Sequence, residues 1–366
     1  MRSFSCVLIV SPVHPPAFDP YKAIIIDKPA LCYVISNCES VCENVYLVGD
    51  RDYLADFPIG KCSIVEPKDA DSFFKALGDE LLVVIPAEAI GLHPDGLVSM
   101  ASANYTITPP RLSAVMPAHS FTSDMKPMPV NAESLMPLHL LTSPTDIHYI
   151  TNHLNHCRIS DLLEEGVIII NQDTTYIGYD TTIAPGVTIY PNTWITGNTT
   201  IKEGTTVGAN CRLHNCVIGS GVSIEQSVLD GVSVGDGTSV GPFAHLRMDS
   251  SIGNNCRIGN FVEIKNSALG NNTKVAHLAY VGDADIGDDV NLGCGTITVN
   301  YDGKNKHRTT IESGSFIGSN SNLIAPVKIG EGAFVAAGST ITKDVEPGAL
   351  GIARSRQENK PNFERP

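Results

Sequence analysis

A parallel β-helix of six-residue repeats, preceded by a smaller α/β region, is the fold class that this 366-residue sequence predicts. Three observations carry the prediction. An aliphatic residue returns at every sixth position over most of the chain after Glu165. Before that point, short apolar runs alternate with helix-like stretches. The composition also favours turns over charged surface: 32 Gly and 23 Pro accompany only 17% charged residues, against roughly 25% in an average globular protein. At about 150 residues per domain the length suggests two or three domains. The changes of pattern place an α/β domain at 1–140, a linker helix at 141–165, the β-helix at 166–350 and a tail at 351–366.

The first apolar run, Cys6 to Val10, reads as a buried strand rather than a signal peptide. It is short, Pro12, Pro15 and Pro16 follow it, and no small-residue cleavage site stands out. Val45–Val48 and Leu81–Ile85 are further strands, with helices over Pro29–Cys38 and Ala70–Leu77. That alternation predicts an α/β sheet. Met100 to Pro144, rich in Pro, Ser, Thr and Met, reads as a connecting segment. From Asp146 to Leu163, the residues Ile147, Ile150, Leu154, Ile159, Leu162 and Leu163 fall at roughly helical spacing. Asp146 is placed to cap the start.

The six-residue beat then takes over. It runs through Ile177, Ile183, Ile189, Ile195, Ile201 and Val207. It continues through Val234, Val240, Leu246, Ile252, Ile258 and Ile264, and returns from Ile311 through Ile341. A Gly or Asn tends to stand fourth in each unit, and a small or β-branched residue fifth. One unit makes one short strand and one turn: the aliphatic residue points inward and the fourth place tolerates positive φ. Three units close a triangular coil, and stacked coils share a continuous aliphatic core. A β-sandwich would instead show strands every 8–12 residues with no fixed period. The beat shortens by one between Ile264 and Leu269 and again between Val281 and Ile286. Between Ile297 and Ile311 it gains about eight residues, the polar and basic stretch Val299 to Arg308. A coil with such an insertion projects a loop, and functional loops of repeat proteins project this way.

Composition also excludes partners. The net charge of −14 argues against nucleic acid or an anionic membrane as the main partner, so an anionic ligand needs a local basic cluster. No apolar run reaches the roughly 18 residues of a membrane span. The ten cysteines form no CxxC pair, and Cys32, Cys38 and Cys42 fit no zinc spacing, so they read as thiols in a reducing compartment, the cytoplasm. His148, His153 and His156 read as a solvated helix face rather than a metal site.

Several stretches carry a family resemblance. His277-Leu-Ala-Tyr-Val-Gly-Asp-Ala-Asp-Ile-Gly is followed by Asn291-Leu-Gly-Cys-Gly-Thr-Ile-Thr-Val-Asn-Tyr-Asp-Gly-Lys-Asn-Lys. Gly241-Pro-Phe-Ala-His-Leu-Arg, Ile258-Gly-Asn-Phe-Val-Glu-Ile-Lys, Ala349-Leu-Gly-Ile-Ala-Arg and Glu165-Gly-Val-Ile-Ile-Ile accompany them. Residues 146–363 resemble, nearly in register, the acetyltransferase half of the bifunctional GlmU family (N-acetylglucosamine-1-phosphate uridyltransferase/glucosamine-1-phosphate N-acetyltransferase). The resemblance implies a left-handed β-helix, a homotrimer with sites between subunits, and acetyl transfer from acetyl-CoA to glucosamine 1-phosphate for UDP-N-acetylglucosamine and cell-wall synthesis. No Mg²⁺ is expected in that transfer.

The N-terminal part departs from the family pattern. Where the family has the Gly-rich loop LAAGxGTRMxSxxPK, this chain has Leu8-Ile-Val-Ser-Pro-Val-His-Pro-Pro-Ala-Phe-Asp-Pro-Tyr-Lys, and only Lys22 matches the motif's lysine. Val83-Val-Ile-Pro-Ala-Glu replaces the Gly-Asp pair whose Asp binds the metal, with Glu88 displaced from that place. We read a reduced, nucleotidyltransferase-like (Rossmann-like) domain that has lost uridyl transfer.

Acetyl transfer to an amine needs a base, donors for the thioester oxyanion, and cations for the sugar phosphate. His277 lies at a disturbed register beside Gly282 and the basic loop, and an imidazole titrates near neutral pH. Arg247 and Lys265 each follow an inward aliphatic residue and are candidates for the phosphate. By the resemblance His277 is the base, Arg247 and Lys265 hold the phosphate, and Tyr280 and Asn291 contact the amino sugar. Asn300, Tyr301 and Lys306 on the inserted loop complete the site, the first two on its acetyl-CoA side. Cys294, Ser319, Ala337 and Arg354 correspond to acetyl-CoA positions; Cys294 departs from a common alanine. Alternatives at this level are a bifunctional enzyme, an acetyltransferase for another amino sugar, and a nonenzymatic trimeric scaffold.

Overall fold

The computed structural model describes residues 5–10, 19, 21–22, 24–77, 81–86, 114–117 and 144–360. They fall into two compact units, 1–157 and 158–366.

The first unit is an α/β sheet. Its elements are β1 (Ser5–Ile9), β2 (Ile24–Ile25), β3 (Lys28–Pro29), α1 (Ala30–Glu39), β4 (Val45–Val48), α2 (Arg51–Leu54), β5 (Ser63–Val65), α3 (Ala70–Ala76), β6 (Leu81–Pro86) and β7 (Ala114–Pro117). The sheet order is β5-β4-β1-β6-β7. The first four of these strands are parallel and β7 is antiparallel to β6. A parallel sheet buries both faces, which is why its strands read as unbroken apolar runs. Val7, Tyr46, Val48, Val65, Ala70 and Phe74 form one buried cluster. Most of the expected connecting segment at 100–144 lies outside the described residues, but Ala114–Pro117 within it is a strand. The helix α4 runs Pro144–Glu164, so Asp146 sits inside its first turn instead of capping it. There a carboxylate still faces the favourable end of the helix dipole.

The second unit is a parallel β-helix with three faces. On the first, Ile183 pairs in register with Ile201, then Ile218, Val234, Ile252, Leu269, Ile286, Ile311 and Ile329. On the second, the inward column runs from Ile169 through Val240, Ile258, Val275, Leu292 and Ile317 to Val335. On the third it runs from Ile177 through Leu246, Ile264 and Val281 to Thr298, Leu323 and Ile341. These side chains are buried in one core, and full burial of each aliphatic stabilises the fold by roughly 1.5–3 kcal/mol.

The turn chemistry follows the beat. Gly186, Asn192, Gly204, Asn210 and Asn255, each fourth in its unit, have φ between 53° and 76°. The fifth place supplies buried hydroxyls that bond the next coil: Thr205, Thr238 and Thr273 each donate to a carbonyl at 2.8 Å. Where the beat shortens, Asn266 and Asp283 take positive φ at the corner after the third face. The inward residue before the insertion is Thr298, fully buried, and not Ile297, which is exposed. All ten cysteines are free thiols, and burial pushes Cys211, Cys216 and Cys256 up. No helix among the described residues is long and apolar enough to cross a membrane, and no metal-holding group of His, Cys, Asp or Glu occurs among them.

Candidate functional site

Two corners of the β-helix hold the residues singled out in the sequence. The corner between the second and third faces is crossed by two unbroken nine-residue strands, Arg257–Lys265 and Lys274–Gly282. On these strands Asn260 and His277 are register partners. Two residues beyond the inward column, the same corner continues with Cys294, Ser319 and Ala337 on the next three coils. These three residues are exposed, as is His277. Arg354 closes the row, its Cδ 3.8 Å from where a Cβ on Gly338 would stand. The row from His277 to Ala337 therefore spans three coil steps, about 14 Å.

The neighbouring positions along this corner are strained. Phe261 and Leu278 follow Asn260 and His277 at φ 58° and 40°, and both are exposed. Bulky residues in the left-handed region cost of order 1–3 kcal/mol each and tend to mark functional sites. Nδ1 of His277 stands 2.7 Å from Oδ1 of Asn260.

The second corner ends the third face. Arg247 and Lys265 occupy equivalent places after the partners Leu246 and Ile264, and Gly282 is the next rung. Arg247 pairs with Glu263 at 2.8 Å. Lys306 reaches in from the inserted loop: it lowers the ammonium pKa of Lys265 by contact and like charge, with Arg247 adding to the effect. Three cations thus converge, and an anion between them would relieve their repulsion. A Cβ at Gly282 would collide with the Tyr280 hydroxyl and come within 2.8 Å of Nδ2 of Asn300, so a side chain there would displace both.

The loop is tied to the preceding coils and to itself. Arg308 grips Asp285 through Nε at 2.9 Å and Nη2 at 2.5 Å and donates to the carbonyls of Asn266 and Ala284. Asp302 accepts the backbone N–H of Lys304 and Asn305, each at 2.7 Å, and Nε2 of His307 at 2.7 Å. These bonds, the Asn305 N–H first, hold its carboxyl down to about 2. Tyr301 is exposed, bridges in backbone to Lys306, and donates its hydroxyl to the Gly303 carbonyl at 2.8 Å.

Three placements were not foreseen. Asp283 is a buried carboxylate under the cation cluster, accepting Nδ2 of Asn266 at 2.5 Å and Nδ2 of Asn300. Asn300 is accordingly turned inward, also donating to the Tyr280 hydroxyl at 3.4 Å. Asn260, the hydrogen-bond partner of His277, lies in the Ile258–Lys265 stretch that carries the resemblance, but the sequence assigned it no role. Asn291 is half-buried opposite Lys274, three positions along the strand from His277's place. Tyr280 lies outward on the third face between the two corners. In the first unit, Lys22 pairs with Asp56 at 3.0 Å and stands over the Tyr53 ring at 5.2 Å. Pro12, Pro15, Pro16, Pro20 and Glu88 lie outside the described residues.

Residues 231–266 and 308–343 match the family model described as bacterial transferase hexapeptide (six repeats). The chain is 54% identical over 201 residues to the bifunctional protein GlmU of Shouchella clausii, covering 55% of this chain and 44% of that protein. It is 54% identical over 198 residues to the bifunctional protein GlmU of a Geobacillus species, covering 54% and 43%. The matched stretch is thus under half the length of these relatives. A solved UDP-N-acetylglucosamine acyltransferase of Francisella novicida overlaps 51% of this chain and 67% of its own at 20% identity and a TM-score of 0.28, an overlap too loose to bear on function. The C-terminal half of this chain is therefore a hexapeptide-repeat homologue of the bifunctional GlmU proteins.

Proposed function

We propose that the β-helix unit transfers acetyl from acetyl-CoA to the amine of glucosamine 1-phosphate, giving N-acetylglucosamine 1-phosphate for UDP-N-acetylglucosamine synthesis. The observation that carries this reading is the corner row in which small exposed side chains, Cys294, Ser319 and Ala337, lead from Arg354 to His277. A narrow row of small residues suits an extended pantetheine arm, an arginine at its far end suits the phosphates of CoA, and an imidazole at its foot suits the reacting end. Sequence identity near half to the GlmU proteins supports the same assignment.

In this reading the amine nitrogen attacks the thioester carbonyl carbon. Nε2 of His277 takes the proton that the nitrogen loses, the carbon–sulfur bond breaks, and the departing sulfur receives that proton, so that CoA leaves as the thiol and the imidazole is again neutral. The sugar phosphate is held by Arg247, Lys265 and Lys306, whose repulsion it neutralises. Tyr280, outward on the face that separates cations from base, contacts the sugar, with Asn291. Tyr301 and Asn300 belong to the loop side of the site, Asn300 by shaping it through Asp283. The two rows of one chain, at Asn260/His277 and Lys265/Gly282, are five residues apart along the strands, up to about 17 Å, which favours a homotrimer in which neighbouring chains complete each site.

The test is thiol release from acetyl-CoA with a panel of amino-sugar phosphates. Glucosamine 1-phosphate should give the highest kcat/KM. A different amino sugar preferred by tenfold or more rejects the substrate, and no release with any of them rejects the enzyme in favour of a scaffold.

For the first unit we propose a role other than uridyl transfer. A nucleotide triphosphate sits against backbone N–H groups of a Gly-rich loop, and prolines supply none. The residue left from the motif, Lys22, is engaged by Asp56. Incubation with UTP, Mg²⁺ and N-acetylglucosamine 1-phosphate should release no pyrophosphate above a blank. Release abolished by deleting 1–140 would establish the bifunctional alternative.

A further inference from the structure

We infer that Asn260 is a positioning residue that fixes the protonation of His277, a step that rests on reading His277 as the base. The two residues are register partners on adjacent coils, so their side chains leave the corner side by side at the roughly 4.8 Å spacing of paired strands. Oδ1 of Asn260 lies 2.7 Å from Nδ1 of His277. An amide oxygen only accepts, so the proton sits on Nδ1 and the lone pair is left on Nε2. A base needs that lone pair aimed away from its own chain, and a histidine whose other nitrogen is already spoken for presents it.

The backbone around the pair is built to keep the two in step. Gly259 precedes Asn260, and a Cβ there would run into the carbonyl of Ala276, the residue before His277. Beside the pair the backbone of one coil thus faces that of the next with no room for a side chain. Phe261 and Leu278, one residue after it, are both left-handed, at φ 58° and 40°, so both strands turn the corner at the same place. The acceptor is neutral. An aspartate here would favour the charged imidazolium and raise the pH at which the base becomes free, whereas the amide selects a tautomer without stabilising the charge. The opposite amide orientation, with Nδ2 donating to Nδ1, would leave the proton on Nε2 and make His277 a donor.

The experiment is ¹⁵N NMR of the full chain labelled at histidine, read at a pH where the imidazole is neutral, with steady-state kinetics on variants. The expected result is a pyridine-type Nε2 and a protonated Nδ1 for His277. Asn260→Ala should leave a mixture of tautomers and lower kcat by about 10- to 100-fold with KM for both substrates unchanged. Asn260→Asp should restore the Nδ1–H tautomer and move the acid limb of the pH profile to higher pH. A protonated Nε2 in the unaltered protein overturns the inference, as does Asn260→Ala with unaltered kcat and tautomer. If His277→Ala retains full turnover, the base reading falls while the NMR result stands by itself, so the two failures are distinguishable.

Discussion

The coils from Ile183 to Ile252 and those from Ile252 to Ile329 are built from the same inward column, yet they do different things. In the first stretch Ile183, Ile201, Ile218, Val234 and Ile252 follow one another at 16 to 18 residues, and most left-handed corners are Asn, Asp or Gly, with Gln226 and Phe243 the exceptions. In the second, nine-residue strands run through a corner, Phe261 and Leu278 take left-handed conformations, and the coil from Ile286 to Ile311 swells to 25 residues. Every residue of the proposed chemistry except Arg247, Ala337 and Arg354 lies in that second stretch, and Arg247 borders it. Regular repetition supplies the scaffold, and the departures from it aim side chains outward.

Two substitutions should separate these roles most sharply. His277→Ala is expected to lower kcat by roughly 10²–10⁴-fold, the usual contribution of a general base, while the thermal midpoint stays within a degree or two of the unaltered protein. Near-normal turnover in that variant would remove His277 from the mechanism. Ile218→Ala, in the regular stretch, should do the reverse: a loss of about 2–5 kcal/mol in denaturant unfolding with kcat unaltered in the folded protein. Equal damage to both properties from either change would erase the contrast.

Smaller effects refine it. Lys306→Ala removes one charge-assisted contact of about 1.5–3 kcal/mol, so KM for the sugar phosphate should rise about 10- to 100-fold with a lesser change in kcat. An unchanged KM would detach the loop from the anion. Mixing Arg247→Ala chains with Arg354→Ala chains, each inactive alone, should recover activity if neighbouring chains complete a site; a fully active monomer by light scattering contradicts the shared arrangement. The smallest effect concerns the loop's own shape. The Asp302 carboxyl is held at about 2 against an ordinary 3.8. Its support for the turn is therefore complete above about pH 4 and fades as pH falls toward 2. The backbone amide resonances of Lys304 and Asn305, which donate to this carboxylate, should shift in that acid window; no change there would detach the carboxyl from the turn.

Much of this was legible in the sequence because one rule, an inward aliphatic residue every sixth place, is read directly from residue type. The beat located the core columns, and the surplus between Ile297 and Ile311 located the loop. Legibility failed where residue type and position disagree. Ile297 looks inward, but counting six from Leu292 lands on Thr298, whose hydroxyl bonds the Gly282 carbonyl at 2.9 Å. Asp283 reads as a surface turn residue, and only the fold shows Asn266 and Asn300 closing over it. Partners such as Asn260 and His277 stand 17 residues apart, and nothing local links them. In the α/β region the strands were visible as apolar runs, but Asp146 missed its helix start because Pro144 already suits a first turn.

The corner row has a consequence for how such a protein could change its cosubstrate. Because each rung comes from one whole coil, the distance from His277 to Arg354 cannot drift by fractions of an ångström as loops lengthen. It is counted in units of about 4.8 Å. Excising the coil between Ile317 and Val335 would bring the arginine one unit nearer to the imidazole while leaving the chemistry at each end intact. If an acyl carrier lies along it as proposed, the row acts as a ruler, and the carriers it can measure form a ladder of discrete lengths.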